Sequence, residues 1–260
     1  MLYKAKHSKK IKYKIKKIII FVLCIFIICN IFYMIRQMYI TKEIKSNYRG
    51  LLESININEN EISNTVTERM LKIRKLAQYN SDVIGWIEIN DTNISYPVLH
   101  TDNNEYYLNH NYKKEISESG SIFLDKNYNE AIPSSNILIY GHRNKTGLMF
   151  EDLIKYKDKD FFEKHKYIKY TTSKDDSIYE IFSVFNSRVF YKNEKNVFRY
   201  YYFVNASNEN EFYDYVRQAK EASIYKDNVE VSYGEQLLTL STCDYNEKNG
   251  RFVIVAKKVK

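Results

Sequence analysis

Leu237-Leu238-Thr239-Leu240-Ser241-Thr242-Cys243 is an apolar run that ends on a cysteine. Eight residues later Arg251 opens a second such run, Phe252-Val253-Ile254-Val255-Ala256. Both have the length and apolar content of buried strands. The polar connection from Asp244 to Gly250 is short enough for a hairpin that brings the two ends together. Such a hairpin sets a guanidinium beside a thiol, where it can stabilise a developing oxyanion or bind a peptide carbonyl; taken alone, an arginine at a strand start is more often a solvated edge residue. Alternate side chains of a strand share a face, so Ser241 and Cys243 point one way and Thr242 and Asp244 the other. Asp244 is therefore poorly placed to support a histidine beside the thiol unless the strand stops at Cys243.

Outward from this pair the period-2 pattern recurs. Residues 86–89, 94–99, 121–124, 136–140, 167–170 and 177–184 read as strands, the first two separated by the turn-like Asn90-Asp91-Thr92-Asn93. Amphipathic helices are expected at about 147–157, through Met149, Phe150, Leu153 and Ile154, and at about 209–223, through Phe212, Tyr215, Val216 and Ala219. About eight short strands with few helices favour a closed or nearly closed β-barrel over a doubly wound α/β sheet. Residues 38–80 carry helical spacing (Val66, Met70, Ile73, Leu76), with Ser63 or Thr65 as a cap, and read as a stalk followed by a helix packed on the domain.

The N-terminus has a different character. Eight lysines and no acid fall within residues 1–17, and from Ile18 to Ile35 the only strongly polar residue is Asn30. That stretch is long enough to span a bilayer. It exceeds the usual apolar core of a signal peptide and is followed by Arg36, Gln37 and Met38 instead of a small-x-small cleavage site, so an uncleaved anchor is expected. Lysines before the span and one arginine just after it put the N-terminus in the cytoplasm and the rest outside. The expected organisation is a basic tail (1–17), a transmembrane anchor (18–36), helices (37–80) and a single domain (81–260).

The net charge of +8 comes from that tail. Without its eight lysines the chain has 32 basic residues against 32 acidic ones, which leaves no electrostatic footprint for nucleic acid. Of the three cysteines, Cys24 and Cys29 fall within the span as apolar fillers. Cys243 then has no disulfide partner outside the membrane.

A thiol with the ordinary pKa of about 8.5 is mostly protonated near neutrality, so nucleophilic use needs a group that takes or stores its proton. Of five histidines, His7 lies in the basic tail, and His110 and His165 sit among polar or charged neighbours. His142 follows the strand ending at Tyr140 through one glycine, and His100 also ends an apolar strand; strand ends favour His142 modestly over His100. The arginines beyond the stalk to weigh are Arg143, Arg188, Arg199 and Arg251. No C-x-x-C, H-x-x-x-H, EF-hand-like or glycine-rich phosphate loop occurs, so neither a metal nor another cofactor is expected.

Taken together these residues resemble a known family. Thr239-Leu240-Ser241-Thr242-Cys243 matches the TLxTC signature of sortases, Arg251 their strand-start arginine, and Tyr140-Gly141-His142 the segment bearing their histidine. The continuation Arg143-Asn144 through Met149-Phe150-Glu151-Asp152-Leu153, the stretch from Tyr106 to Tyr112, the helix before the cysteine strand and the N-terminal helices look like class B sortases in particular. The match runs in order over about residues 80–260. It implies an eight-stranded sortase barrel with added helices on the outer face of a Gram-positive plasma membrane. Such enzymes cut a sorting signal after its Thr through a cysteine thioacyl intermediate. An amine of the peptidoglycan cross-bridge or of a pilin then resolves that intermediate. Carried over, Cys243 would be the nucleophile, His142 the general acid and then base, and Arg251 the orienting and oxyanion-stabilising cation, with Ser241 and Asn104 lining the peptide groove.

Other readings fit less well. Papain-like peptidases place the cysteine at a helix start with the histidine downstream, and L,D-transpeptidases carry a Ser-His-Gly-Cys run that is absent here. An anchored wall-binding protein would leave an exposed extracytoplasmic thiol without a use.

Overall fold

The computed structural model describes residues 2–54, 67–132, 134–144 and 146–260, with side chains described from Lys14 onward except at residues 47–54. It separates into two units, residues 1–45 and 46–260. Helix α1 (Leu2–Ser54), which makes up the first, ends within the second and runs without a break through the expected boundaries at 17 and 36. Its Lys14–Ser46 portion contains an 18-residue window of mean hydropathy 3.0, none of it buried. Side chains from Ile18 to Ile35 point outward all round the helix, and a helix apolar on every face suits lipid, not water. Asn30 donates its amide to the carbonyl of Phe26 at 2.7 Å, so its polarity is partly absorbed within the helix.

In the second unit eight strands close into a barrel in the order β1-β2-β3-β4-β7-β8-β6-β5. They are β1 (Val83–Glu88), β2 (Ser95–Leu99), β3 (Ile122–Leu124), β4 (Asn136–Tyr140), β5 (Tyr167–Thr172), β6 (Asp176–Arg188), β7 (Leu237–Cys243) and β8 (Gly250–Lys258). The expected eight-stranded barrel is the observed one. Two pairings are parallel, β2 with β3 and β4 with β7. The second matters most, because it brings the C-terminal ends of β4 and β7 to the same rim. β8 runs antiparallel to both β7 and β6.

Side-chain alternation sorts the two faces of β7. Leu238 and Leu240 share one face, with Ile139 of β4 and Ile254 of β8 at matching register positions; Leu240, Ile139 and Ile254 are fully buried. Leu237 joins Leu138, Phe185, Val253 and Val255 on the other face, under α4 (Glu209–Ala222). Phe212, Tyr215, Val216 and Ala219 of α4 cover it, as the helical spacing predicts. Burying each large side chain of that set is worth about 1.5–3 kcal/mol. The polar atoms below it are paired. Asn136 accepts from Thr239 Oγ1 at 2.8 Å and donates to Phe203 O at 2.8 Å, and the Tyr215 hydroxyl meets Thr239 Oγ1 at 3.0 Å.

Helix α2 (Glu68–Tyr79) packs Ile73 and Leu76 against Val83, Trp86 and Leu99. Arg69 Nη2 donates to both carboxylate oxygens of Asp176, at 2.9 and 3.1 Å. Its cap is Thr67, which accepts from Met70 N; the expected caps Ser63 and Thr65, like Val66, lie outside the described residues. Around 147–157 the expected helix is shorter and tighter, a 3-10 helix at Glu151–Lys157. Met149 takes a positive φ of 57°, Arg143 bridges Met149, and Phe150 N donates to His142 O, so residues 149–150 close a loop instead of starting a helix. A short helix α3 (Lys159–Lys164), not anticipated from sequence, is capped by Asp158.

Candidate active site

Three adjacent strands end at one rim. The parallel register pairs Tyr140 of β4 with Ser241 of β7, so Gly141 and His142 continue alongside Thr242 and Cys243. Past the strand end this contact is held by Gly141 N donating to Ser241 O at 3.2 Å and Thr242 Oγ1 donating to Gly141 O at 2.8 Å. Gly141 leaves its neighbours no room for a side chain without their shifting. A Cβ there would lie 2.4 Å from Ile122 Cδ1 and 2.6 Å from the Phe150 ring. The antiparallel register then places Arg251 directly opposite Cys243, as the hairpin reading predicts.

Cys243, His142 and Arg251 border a common groove of about 330 Å³, together with Ser241 and Asn104. Cys243 is half-buried and free. The other histidines with described side chains are engaged elsewhere. His110 stacks on Tyr106 and contacts its carbonyl, and His165 does the same with Phe161. His100 lies edge-on to Tyr128 and does not border the groove.

The four arginines also separate. Arg143 pairs with Glu151 and Asp244, Arg188 with Glu194 and Glu247, and Arg199 donates to the carbonyls of Tyr191 and Glu194. Arg251 donates only through Nη1, to Gly250 O at 2.9 Å and Asn249 O at 3.4 Å, and among the described residues it meets no carboxylate. Its charge is therefore not neutralised beside the thiol, where a thiolate or an oxyanion would develop.

Asp244 is bound away from His142, to Lys157 Nζ at 2.7 Å and Arg143 Nη1 at 3.4 Å. Burial alone would raise its carboxyl pKa; the Lys157 hydrogen bond, the Asn246 amide and the two cations outweigh that and hold it below the usual range. Its role is to tie the end of β7 to residues 143–157. Ser241 borders the groove too, but its hydroxyl is engaged with Tyr200 Oη at 2.7 Å and it is 1% exposed. Burial drives the Tyr200 hydroxyl well above its ordinary pKa, against the opposing pull of Ser241 and Arg251, so it stays protonated.

Asn104 is held at both ends of its amide. Nδ2 donates to Asp125 Oδ2 at 2.8 Å and Oδ1 accepts from Lys126 N at 2.8 Å, which fixes the flip. The same Asp125 oxygen accepts from Tyr140 Oη at 3.0 Å. Burial and this carboxylate push the Tyr140 hydroxyl far up, so it remains a donor. The groove thus sets these polar groups opposite an apolar wall.

That wall was not visible in the sequence. Leu108 comes from the β2–β3 connection, and Val189 and Tyr200-Tyr201-Tyr202 from the connection between β6 and α4. Tyr107 pins the first connection, donating to Asp82 at 2.7 Å and accepting from Asn80 at 3.0 Å. The Tyr-rich run at 200–202 was the only available signal, and a tyrosine cluster in a chain with 25 tyrosines says little by itself. Among the described residues no group of three or more His, Cys, Asp or Glu is arranged to hold a metal ion.

The chain is similar to known proteins over most of its length. Residues 87–259 match the Sortase domain family. Sortase B of Listeria monocytogenes is 40% identical over 191 residues, covering 72% of this chain and 74% of that protein. Sortase B of Staphylococcus aureus is 29% identical over 245 residues, covering 93% and 96%. The crystal structure of sortase B from Bacillus anthracis in complex with AAEK1 superposes with a TM-score of 0.70 at 34% identity, over 84% of this chain and 98% of that one. With its barrel, its TLxTC strand and these relatives in agreement, the chain belongs to the sortase family, in class B.

Proposed function

We propose that this sortase cleaves a C-terminal sorting signal after its Thr and transfers the shortened protein to a cell-wall amine through a thioacyl bond to Cys243. One observation carries the assignment: Cys243 lies in register with an unneutralised Arg251 and beside the strand end that bears His142, in one groove.

In this mechanism the Cys243 thiolate attacks the carbonyl carbon of the Thr. The Arg251 guanidinium offers donors to the oxygen as it gains charge, an interaction stronger in the transition state than in the ground state. His142 donates a proton to the leaving amine and then removes one from the incoming amine. Thiolate and imidazolium need coexist in only a fraction of molecules, because the sulfur is intrinsically a strong nucleophile. Modest turnover follows, with hydrolysis competing whenever the amine is scarce. Asn104, its amide fixed by Asp125 and Lys126, binds the peptide backbone. Ser241 supports the groove floor through Tyr200.

The partners in this account are surface proteins bearing the sorting signal and an amine of the peptidoglycan precursor. α1 anchors the enzyme with residues 1–17 in the cytoplasm, residues 18–36 in the membrane and the catalytic domain, residues 81–260, outside. Within residues 37–80, α2 serves as the helix docked on the catalytic domain. The test is cleavage of a panel of sorting-signal peptides by His142→Ala and His100→Ala. His142→Ala should lose at least about a hundredfold in kcat/KM while His100→Ala stays close to wild type. The reverse order of damage would move the proton-transfer role to His100.

A further inference from the structure

His142 Nε2 lies 2.6 Å from the main-chain carbonyl oxygen of Leu108. A carbonyl oxygen only accepts, so at that distance Nε2 must carry the hydrogen. From this contact we infer that the Leu108 carbonyl fixes the His142 ring as the Nε2–H tautomer and leaves Nδ1 as the nitrogen that exchanges protons during catalysis, with Gly120 as the positioning residue that holds the carbonyl in place. The catalytic part rests on the role proposed for His142; the tautomer does not.

Gly120 belongs to the argument because of where it presses. It has a φ of +55°, and a Cβ there would lie 2.4 Å from Tyr107 O and 2.6 Å from Leu108 O, both inside the 3.0 Å that real Cβ atoms respect. The two carbonyls are thus packed onto the bare Cα of Gly120. The Tyr107 carbonyl also accepts from Ser121 N at 2.9 Å, and Gly120 N donates to Ser117 O at 3.1 Å. Residues 107–108 and 117–121 form one clamp across the base of the β2–β3 connection, and its outward product is the Leu108 oxygen aimed at His142.

The proton account closes with Nδ1 alone. As Cys243 Sγ bonds to the acyl carbon, the C–N bond breaks and its nitrogen takes the proton from Nδ1–H of the imidazolium, leaving the neutral Nε2–H ring. An incoming amine then bonds to the acyl carbon, returns a proton to Nδ1, and the S–C bond breaks to restore the thiolate and the imidazolium. The Nε2–H···O=C bond persists throughout, so the ring need not turn between the two halves of the reaction.

The experiment uses the full chain in detergent micelles with 15N-histidine, recorded where the 15N shifts themselves show a neutral ring, with His142 assigned by signals missing in His142→Asn. Long-range 15N–1H correlation then reports which ring nitrogen is protonated. The Nε2–H tautomer is expected for wild type, and an Nδ1–H tautomer overturns the inference whether or not any variant folds. In Gly120→Ala the tautomer should become mixed and kcat/KM should fall on the order of a hundredfold, as a displaced catalytic group does. Leu108→Ala, which keeps the carbonyl, should preserve the tautomer. A folded Gly120→Ala with both the wild-type tautomer and wild-type kcat/KM removes the positioning role. An Nε2–H ring combined with a fully active His142→Ala leaves the carbonyl contact standing and sinks the catalytic assignment instead.

Discussion

The contact between Tyr200 and Ser241 decides what Ser241 is for. Both residues are 1% exposed, and their oxygens are 2.7 Å apart beneath the groove. Tyr200→Phe keeps the ring, which packs edge-on to Phe185 at 5.8 Å and to Tyr201 at 5.2 Å, and removes only the hydroxyl. The lost hydrogen bond is worth about 0.5–1.5 kcal/mol, and a Ser241 hydroxyl left buried without its partner raises the cost to about 1–3 kcal/mol. Ser241→Ala should cost a similar amount for the converse reason. The double variant removes both polar atoms, so its cost should fall short of the sum by about 1–2 kcal/mol. In a domain of this size 1 kcal/mol shifts Tm by roughly 2–4 °C, which places all three effects within reach of thermal melts followed by circular dichroism. Peptide-cleavage kinetics on the same variants complete the test. Strict additivity of the two single variants would refute the pairing. Unchanged stability in Ser241→Ala with a raised KM would make its hydroxyl a substrate contact and not a support.

Two further outcomes follow from the same geometry. Arg251→Lys keeps the charge but loses the planar fork, and kcat/KM should drop on the order of a hundredfold; wild-type kinetics would demote Arg251 to a surface residue. Asp244 has a folded carboxyl held below its unfolded value, so its contribution to stability is present above the unfolded pKa of about 3.9 and is lost as the pH falls through the folded value. Asp244→Asn should therefore cost about 1–3 kcal/mol at neutral pH, leaving Lys157 without its anion and Arg143 with Glu151 alone, and should flatten the acid limb of the stability curve. An acid limb identical to wild type would show that this cluster is not held by charge.

The strands were legible because their period-2 runs are apolar and short. β4 and β7 begin and end where the pattern says. The hairpin register that opposes Cys243 to Arg251 was legible for the same reason, since the two apolar runs are joined by a short polar connection. The parallel docking of β4 on β7 was not, because nothing local encodes a long-range partner. Helix starts failed where loops compete for the backbone. Met149 and Phe150 have helical spacing but are drawn to His142 and Arg143, and the cap of α2 falls on Thr67, two residues past the expected Thr65. The apolar wall from Leu108, Val189 and Tyr200–Tyr202 stayed hidden because each residue is ordinary in its own segment. Only the folding of two long connections over one rim makes them a groove.

The central claim is that Cys243 carries the acyl group. It is tested most directly by incubating the full-length enzyme with a panel of sorting-signal peptides, quenching in acid and measuring intact mass with peptide mapping. The account predicts a mass increase equal to the acyl fragment ending in Thr, on the peptide containing Cys243. It also predicts release of that adduct by an added amine and no adduct in Cys243→Ala. Cleavage that proceeds in Cys243→Ala, or an adduct on any other residue, would contradict it.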